Sequence, residues 1–93
     1  MSLTFEWDQE KAESNLRKHG VSFEEVSTVF RDTLSRTIYD PLHSSFRDQR
    51  FVTIGWSGRN QLLVVVHCDR GKKIRIISAR RATHRERRNY ENE

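Results

Sequence analysis

At Thr37 the hydrophobic pattern changes its period from the 3.6 of helices to the 2 of strands, and this switch sets narrow limits on the fold. Four β-branched runs follow it: Thr37-Ile38-Tyr39, Phe51 to Trp56, Leu62 to His67 and Ile74 to Ser78. Pro41 ends the first run, and the polar stretch Leu42 to Gln49 reads as a loop. Ser57-Gly58-Arg59-Asn60 and Asp69-Arg70-Gly71-Lys72 carry turn chemistry, so the last three runs are expected to form an antiparallel meander.

Two helices precede the strands. Asp8 can cap the first, the basic Arg17-Lys18-His19 closes it, and Gly20 supplies the left-handed residue after it, which bounds a helix over about 9–19. Ser22 and Glu25 have the spacing of a capping box, with Val21 and Val26 as a hydrophobic staple, and Phe23, Val26, Val29 and Phe30 form one stripe. That helix is expected to end near Arg31, with 32–36 as connecting chain. A second box, Thr83 with Glu86, opens a short C-terminal helix through about Tyr90. The expected fold is α+β over residues 1–93 as one domain. It has two N-terminal helices, a four-stranded mostly antiparallel sheet and a short C-terminal helix, with the helices on one sheet face.

Charge is distributed unevenly along this chain. Residues 1–69 carry eight basic and ten acidic side chains, whereas residues 70–88 carry nine basic ones against Glu86 alone, a net of +8. Such a concentration points to a polyanion as partner. Nucleic acid is favoured over membrane, because no apolar stripe accompanies the charge. The longest apolar run is five residues, Leu62 to Val66, and no basic-then-apolar leader opens the chain, so a cytoplasmic location is expected. A single cysteine, Cys68, forbids an intramolecular disulfide.

Several kinds of chemistry find no support in the sequence. His19, His43, His67 and His84 are scattered without ligand spacing, so neither a metal nor any other cofactor is expected. No glycine-flanked serine marks a nucleophile elbow, and there is no glycine-rich phosphate loop. Arginine is abundant: Arg80 and Arg81 leave the last strand, and Arg85 and Arg88 lie one turn apart on the helix that follows. Guanidinium groups bind phosphate oxygens in pairs and can stabilise a pentavalent phosphorane, so these residues could hold RNA while its own 2'-hydroxyl attacks.

The place of His67 depends on the last hairpin. A three-residue loop centred on Gly71 sets His67 opposite Arg75, a shared phosphate site; a two-residue Arg70-Gly71 turn sets it opposite Ile74, as a strand-end histidine. Both registers remain open at this point. The same basic surface would also serve a non-catalytic nucleic-acid-binding or regulatory domain, or a module that docks an acidic protein.

Phe5-Glu6-Trp7-Asp8 with Lys11 and Asn15, Lys18-His19-Gly20-Val21 with Phe23, and Ile74 to Ala82 with Glu86-Arg87 and Tyr90 resemble the BrnT family of ribonuclease toxins. The resemblance implies a RelE-like microbial ribonuclease fold and metal-independent RNA cleavage that arrests growth. It also implies neutralisation by a cognate DNA-binding, BrnA-like antitoxin, in a heterotetramer built through the antitoxin dimer. The matching polar residues are Lys18, His19, Arg75, Ser78, Arg80, Glu86, Arg87 and Tyr90. From the resemblance and the residue chemistry together, Arg75, Arg80, His67 and Lys18 are the catalytic candidates, and Arg81, Arg85, Arg88 and Ser78 the RNA-binding ones. Glu86 reads first as a capping residue and Tyr90 as a core anchor.

Overall fold

The computed structural model describes residues 3–92. Its elements are β1 (Thr4–Glu6), α1 (Gln9–His19), α2 (Phe23–Ser27) running into a 3-10 turn (Thr28–Arg31), β2 (Arg36–Asp40), β3 (Arg50–Trp56), β4 (Leu62–Arg70), β5 (Lys73–Arg81) and α3 (His84–Glu91). The sheet order is β1-β5-β4-β3-β2. β1 runs parallel to β5 and every other pair is antiparallel.

The sheet therefore has five strands and is mixed, where the sequence pattern leads to four. Thr4-Phe5-Glu6 is too short to show a period, and its partner lies about seventy residues away, at Lys73-Ile74-Arg75. Burial of Phe5 against Phe30, with ring centroids 5.3 Å apart, holds this edge to the core.

Short-range caps form as their chemistry dictates. Asp8 accepts from the amides of Glu10 and Lys11, and Gly20 closes α1 with φ 69°. At α2 only half of the expected box forms. The Ser22 hydroxyl accepts from the Glu25 amide, but the Glu25 carboxylate is buried and accepts instead from Ser57 Oγ at 2.7 Å and Gln61 Nε2 at 2.9 Å. That long-range bond ties α2 to the β3–β4 turn. The helix is also shorter than expected, because the Thr28 hydroxyl bonds back to the Glu25 carbonyl and the chain tightens into 3-10 geometry.

Val21, Phe23, Val26 and Val29 pack on Leu63, Val65, Ile76 and Ala79, forming the core between α1, α2 and one sheet face. Asn15 in α1 anchors that layer: its side chain donates to the Val21 carbonyl and accepts from the Ala79 amide. The third helix does not join this layer, contrary to the one-face expectation. α3 lies across the opposite face, over the row Arg80, Val64, Ile54 and Arg36. A helix's apolar stripe fixes which of its sides is buried, not which side of a sheet receives it.

The last hairpin adopts neither expected register. Its two loop residues are Gly71 and Lys72, with Arg70 opposite Lys73, and Gly71 takes φ 64° as the first residue of such a turn must. His67 then faces Ile76, Val66 faces Ser78, and Ile77 is left over as a β-bulge. The bulge reverses the alternation of β5 beyond it. Arg75 and Arg80, five residues apart, thus share the face away from α1 and α2. Among the described residues, no helix is long and apolar enough to cross a membrane.

Candidate nucleic-acid interface

The sheet face opposite the core presents its residues in rows across the strands. One row is Glu6, Arg75, Cys68, Arg50 and Asp40; the next is Ser78, Val66, Val52 and Ile38; the third is Arg80, Val64, Ile54 and Arg36. Arg75, Ser78 and Arg80 are therefore brought to one surface. The first and third rows cross β4 four positions apart, at Cys68 and Val64, so Arg75 and Arg80 stand roughly 14 Å apart at their backbones.

Both arginines are held by carboxylates. Arg75 Nη1 donates to Glu6 Oε2 at 2.9 Å, a contact that the parallel pairing of β1 with β5 creates. Arg80 makes a bidentate pair with Glu86, Nη1 to Oε1 at 2.7 Å and Nη2 to Oε2 at 2.9 Å. Glu86 also completes the α3 capping box, accepting from the Thr83 amide while Thr83 Oγ1 accepts from its own. The Arg80 hydrogen bonds are the main reason that the Glu86 carboxyl falls to about 2, and they raise the Arg80 guanidinium in turn. Arg80 is thus fixed in direction, with its Nε–H and one Nη2 hydrogen left over to meet an anion.

A second group of cations borders the first row. Asp48 lies 3.6 Å from Arg50 and 4.0 Å from Arg70, and its Oδ1 accepts from Cys68 Sγ at 2.9 Å. Burial, and then Asp48, push the Cys68 thiol up to about 11, which removes it as a nucleophile.

His67 and Lys18 lie on the other side of the sheet. His67 is 2% exposed, between the rings of Phe30 and Phe51, with Nε2 2.8 Å from Thr53 Oγ1 and Nδ1 3.1 Å from Asp69 Oδ1. Thr53 Oγ1 continues the chain to Thr37 Oγ1 at 2.7 Å. Burial lowers the imidazole pKa more than Asp69 raises it, so the ring is neutral and enclosed. Cys68, not His67, stands opposite Arg75, which separates the expected histidine–arginine pair. Lys18 is exposed in the last turn of α1, in the core-side layer.

Arg81 ends β5 and lines a cleft of about 210 Å³ with Asn60, Gln61, Leu62, Ala82 and Arg87. Arg85 and Arg88 are exposed on α3. Tyr90 is a buried anchor: its hydroxyl donates to Asp32 and lies 3.1 Å from the Leu34 carbonyl, while Arg36 donates to its carbonyl and stacks over its ring. Sequence reasoning passed over Asp32, Arg36 and Trp56 as site-builders: their partners are far along the chain, and no local pattern marks them. Arg87, matched by the family resemblance, had no role assigned to it. Among the described residues, no three His, Cys, Asp or Glu side chains gather as a metal site requires.

The sequence model of the family described as the ribonuclease toxin, BrnT, of type II toxin-antitoxin systems matches residues 7–86. No curated protein matches the chain. The crystal structure of the Brucella abortus ribonuclease toxin, BrnT, superposes with a TM-score of 0.64 at 21% identity, over 89% of this chain and 100% of that one, a likeness of fold.

Proposed function

As this chain belongs to the BrnT family of ribonuclease toxins of type II toxin-antitoxin systems, we propose that it cuts RNA internally, without a metal ion, on the sheet face that carries Arg75 and Arg80. The scaffold is read as RelE-like, and the reaction as attack by a 2'-hydroxyl on the adjacent phosphate, with the 5'-oxygen leaving. One observation carries this reading: the Arg80 guanidinium, oriented by Glu86 and still holding two free N–H groups, is a preorganised site for the charge that builds on a phosphorane. Arg75, fixed by Glu6, and Ser78 extend that surface, and Arg81, Arg85 and Arg88 supply the field that draws RNA to it.

Proton transfer falls to His84 in this scheme. His67 is enclosed, the Tyr90 hydroxyl is engaged and Glu86 is spent on Arg80, whereas His84 is exposed in the first turn of α3, two residues from Glu86. His67 and Lys18 then serve the fold and the outer field, not the reacting phosphate. The reaction belongs in the cytoplasm, where RNA is at hand. Restraint comes from a BrnA-like, DNA-binding antitoxin whose dimer joins two toxins and whose carboxylates or carbonyls pair the arginines.

The test is incubation of the purified protein with end-labelled RNA in EDTA. Cleavage that leaves 2',3'-cyclic phosphate or 3'-phosphate ends is expected, with Arg80→Ala inactive and His84→Gln altered in its pH profile. Cleavage only after magnesium is restored would overturn the mechanism, and RNA bound but left intact by the wild type would return the chain to the non-catalytic alternative.

A further inference from the structure

Beyond the arginine surface, a cleft of about 460 Å³ opens at the far end of α3, lined by Leu34, Arg36, Trp56, Tyr90 and Glu91. We propose that this cleft is a nucleobase subsite for single-stranded RNA, with Arg81 and Arg87 on the adjoining phosphate and Glu91 selecting guanine. The proposal rests on the RNA reading above and adds to it a place for one base and a reason for sequence preference.

The argument begins with Arg87. Its guanidinium lies over the Trp56 ring, 5.0 Å from the centroid, its Nε is 3.5 Å from Glu91 Oε2, and it also lines the neighbouring 210 Å³ cleft with Arg81. One side chain thus joins an aromatic cleft to a cationic one. Alternation of ring and cation at nucleotide scale is what a single strand requires, because its bases stack while its backbone follows positive charge. Trp56 is the last residue of β3 and is half-buried, so its ring is fixed in place yet accessible from the cleft.

Glu91 supplies the selectivity. A carboxylate repels phosphate, so just beyond so basic a segment it is suited to meet N–H donors on a base edge. Guanine offers N1–H and the N2 amino group side by side, matching two carboxylate oxygens. Adenine, cytosine and uracil offer no such adjacent pair. Glu91 is 49% exposed and only loosely paired with Arg87, so it can turn to the base while Arg87 stays on Trp56 and faces the phosphate.

The experiment titrates the intact protein with 5'-GMP and 5'-AMP, following the Trp56 indole and the α3 amides by NMR, with melting temperature as the folding control. GMP is expected to shift Trp56, Arg87 and Glu91 and to bind at least about fivefold tighter than AMP. Glu91→Gln should bring the two nucleotides level. Trp56→Phe, which keeps a ring, should weaken GMP less than Trp56→Ala, for which roughly tenfold or more is expected. Equal affinity for GMP and AMP in the wild type, or GMP shifts that avoid Trp56, would overturn the proposal. Mononucleotide binding needs no cleavage, so GMP selectivity in a protein that cuts no RNA would sink only the ribonuclease reading. RNA cutting at unchanged positions in Glu91→Gln would sink only the subsite.

Discussion

Replacing Asp32 by asparagine should loosen the helix that carries half of the arginine surface. Asp32 Oδ2 accepts from the Trp56 amide at 2.9 Å and the Tyr90 hydroxyl at 2.9 Å, and Oδ1 accepts from the Leu34 amide at 3.0 Å. Burial alone would raise this carboxyl, but the Trp56 and Leu34 amides and the Tyr90 hydroxyl more than offset it, so it titrates below its ordinary value of 3.8. An asparagine has one oxygen. Whichever way its amide turns, an NH2 group meets a backbone N–H that had an acceptor, and the remaining donors lose the negative charge they bonded to, which together cost about 1–3 kcal/mol. At about 2 kcal/mol, a domain of this size should melt roughly 8–16 °C lower at pH 7. The pH dependence follows from the sign of the shift. Stabilisation by a carboxyl with a depressed native pKa is present above about 3.8 and is lost as pH falls through the native value, so the wild-type advantage should shrink in acid. In a double-mutant cycle, Tyr90→Phe should cost about 1 kcal/mol in the wild type and less in the Asp32→Asn background. A melting temperature within about 2 °C of wild type would refute the idea that Asp32 holds α3 to the sheet.

Gly55→Ala should destabilise by about 1–3 kcal/mol in urea melts, because its Cβ would stand 2.8 Å from Ser35 Cβ and 3.0 Å from Val29 Cγ1, and Ser35 Cβ moves only with the backbone. An unchanged midpoint would mean that this approach of β3 to the segment after α2 is softer than drawn. For His67 the native pKa is depressed, so the unfolded chain binds the extra proton first and stability falls as pH drops from about 6.5 toward the native value. Wild type should lose up to about 1.4 kcal/mol per pH unit there, His67→Gln should lack that slope, and parallel profiles would refute the assignment. Arg75→Ala and Arg80→Ala should each remove RNA cleavage while changing stability by no more than about 1 kcal/mol, since both ion pairs are partly exposed; full activity in both would move the site elsewhere.

Features written in neighbouring residues could be read directly from the chain. Asp8, Gly20, Ser22 and the Thr83–Glu86 box act within one helical turn, and each sits where its chemistry places it. Pairings made across the chain could not be read. Asp32 stands in what looks like connecting chain, and only the arrival of Trp56 and Tyr90 makes it a junction. Glu25 exchanges its local capping bond for Ser57 and Gln61, thirty-two and thirty-six positions on. For the site, the arginine-rich segment was visible from charge alone, but its division between the sheet faces depends on one bulge and on the side α3 takes. The clamps on Arg75 and Arg80 show the difference: Glu86 lies six residues from its arginine, whereas Glu6 meets its own only through a strand pairing with no local signal.

The bulge at Ile77 means that β5 carries one residue more than its ladder with β4 uses. This surplus is slack in the chain. In a regular strand, removing one residue turns every later side chain to the opposite side. Here, losing Ile77 would let Ser78 follow Ile76 directly and keep Val66, Val65 and Val64 as the partners of Ser78, Ala79 and Arg80. A shortened strand would still present Arg75 and Arg80 together, giving up only the extra local twist. One added residue has no such refuge, because the spare place is already filled, and β5 would have to bulge again or turn Arg80 toward the core.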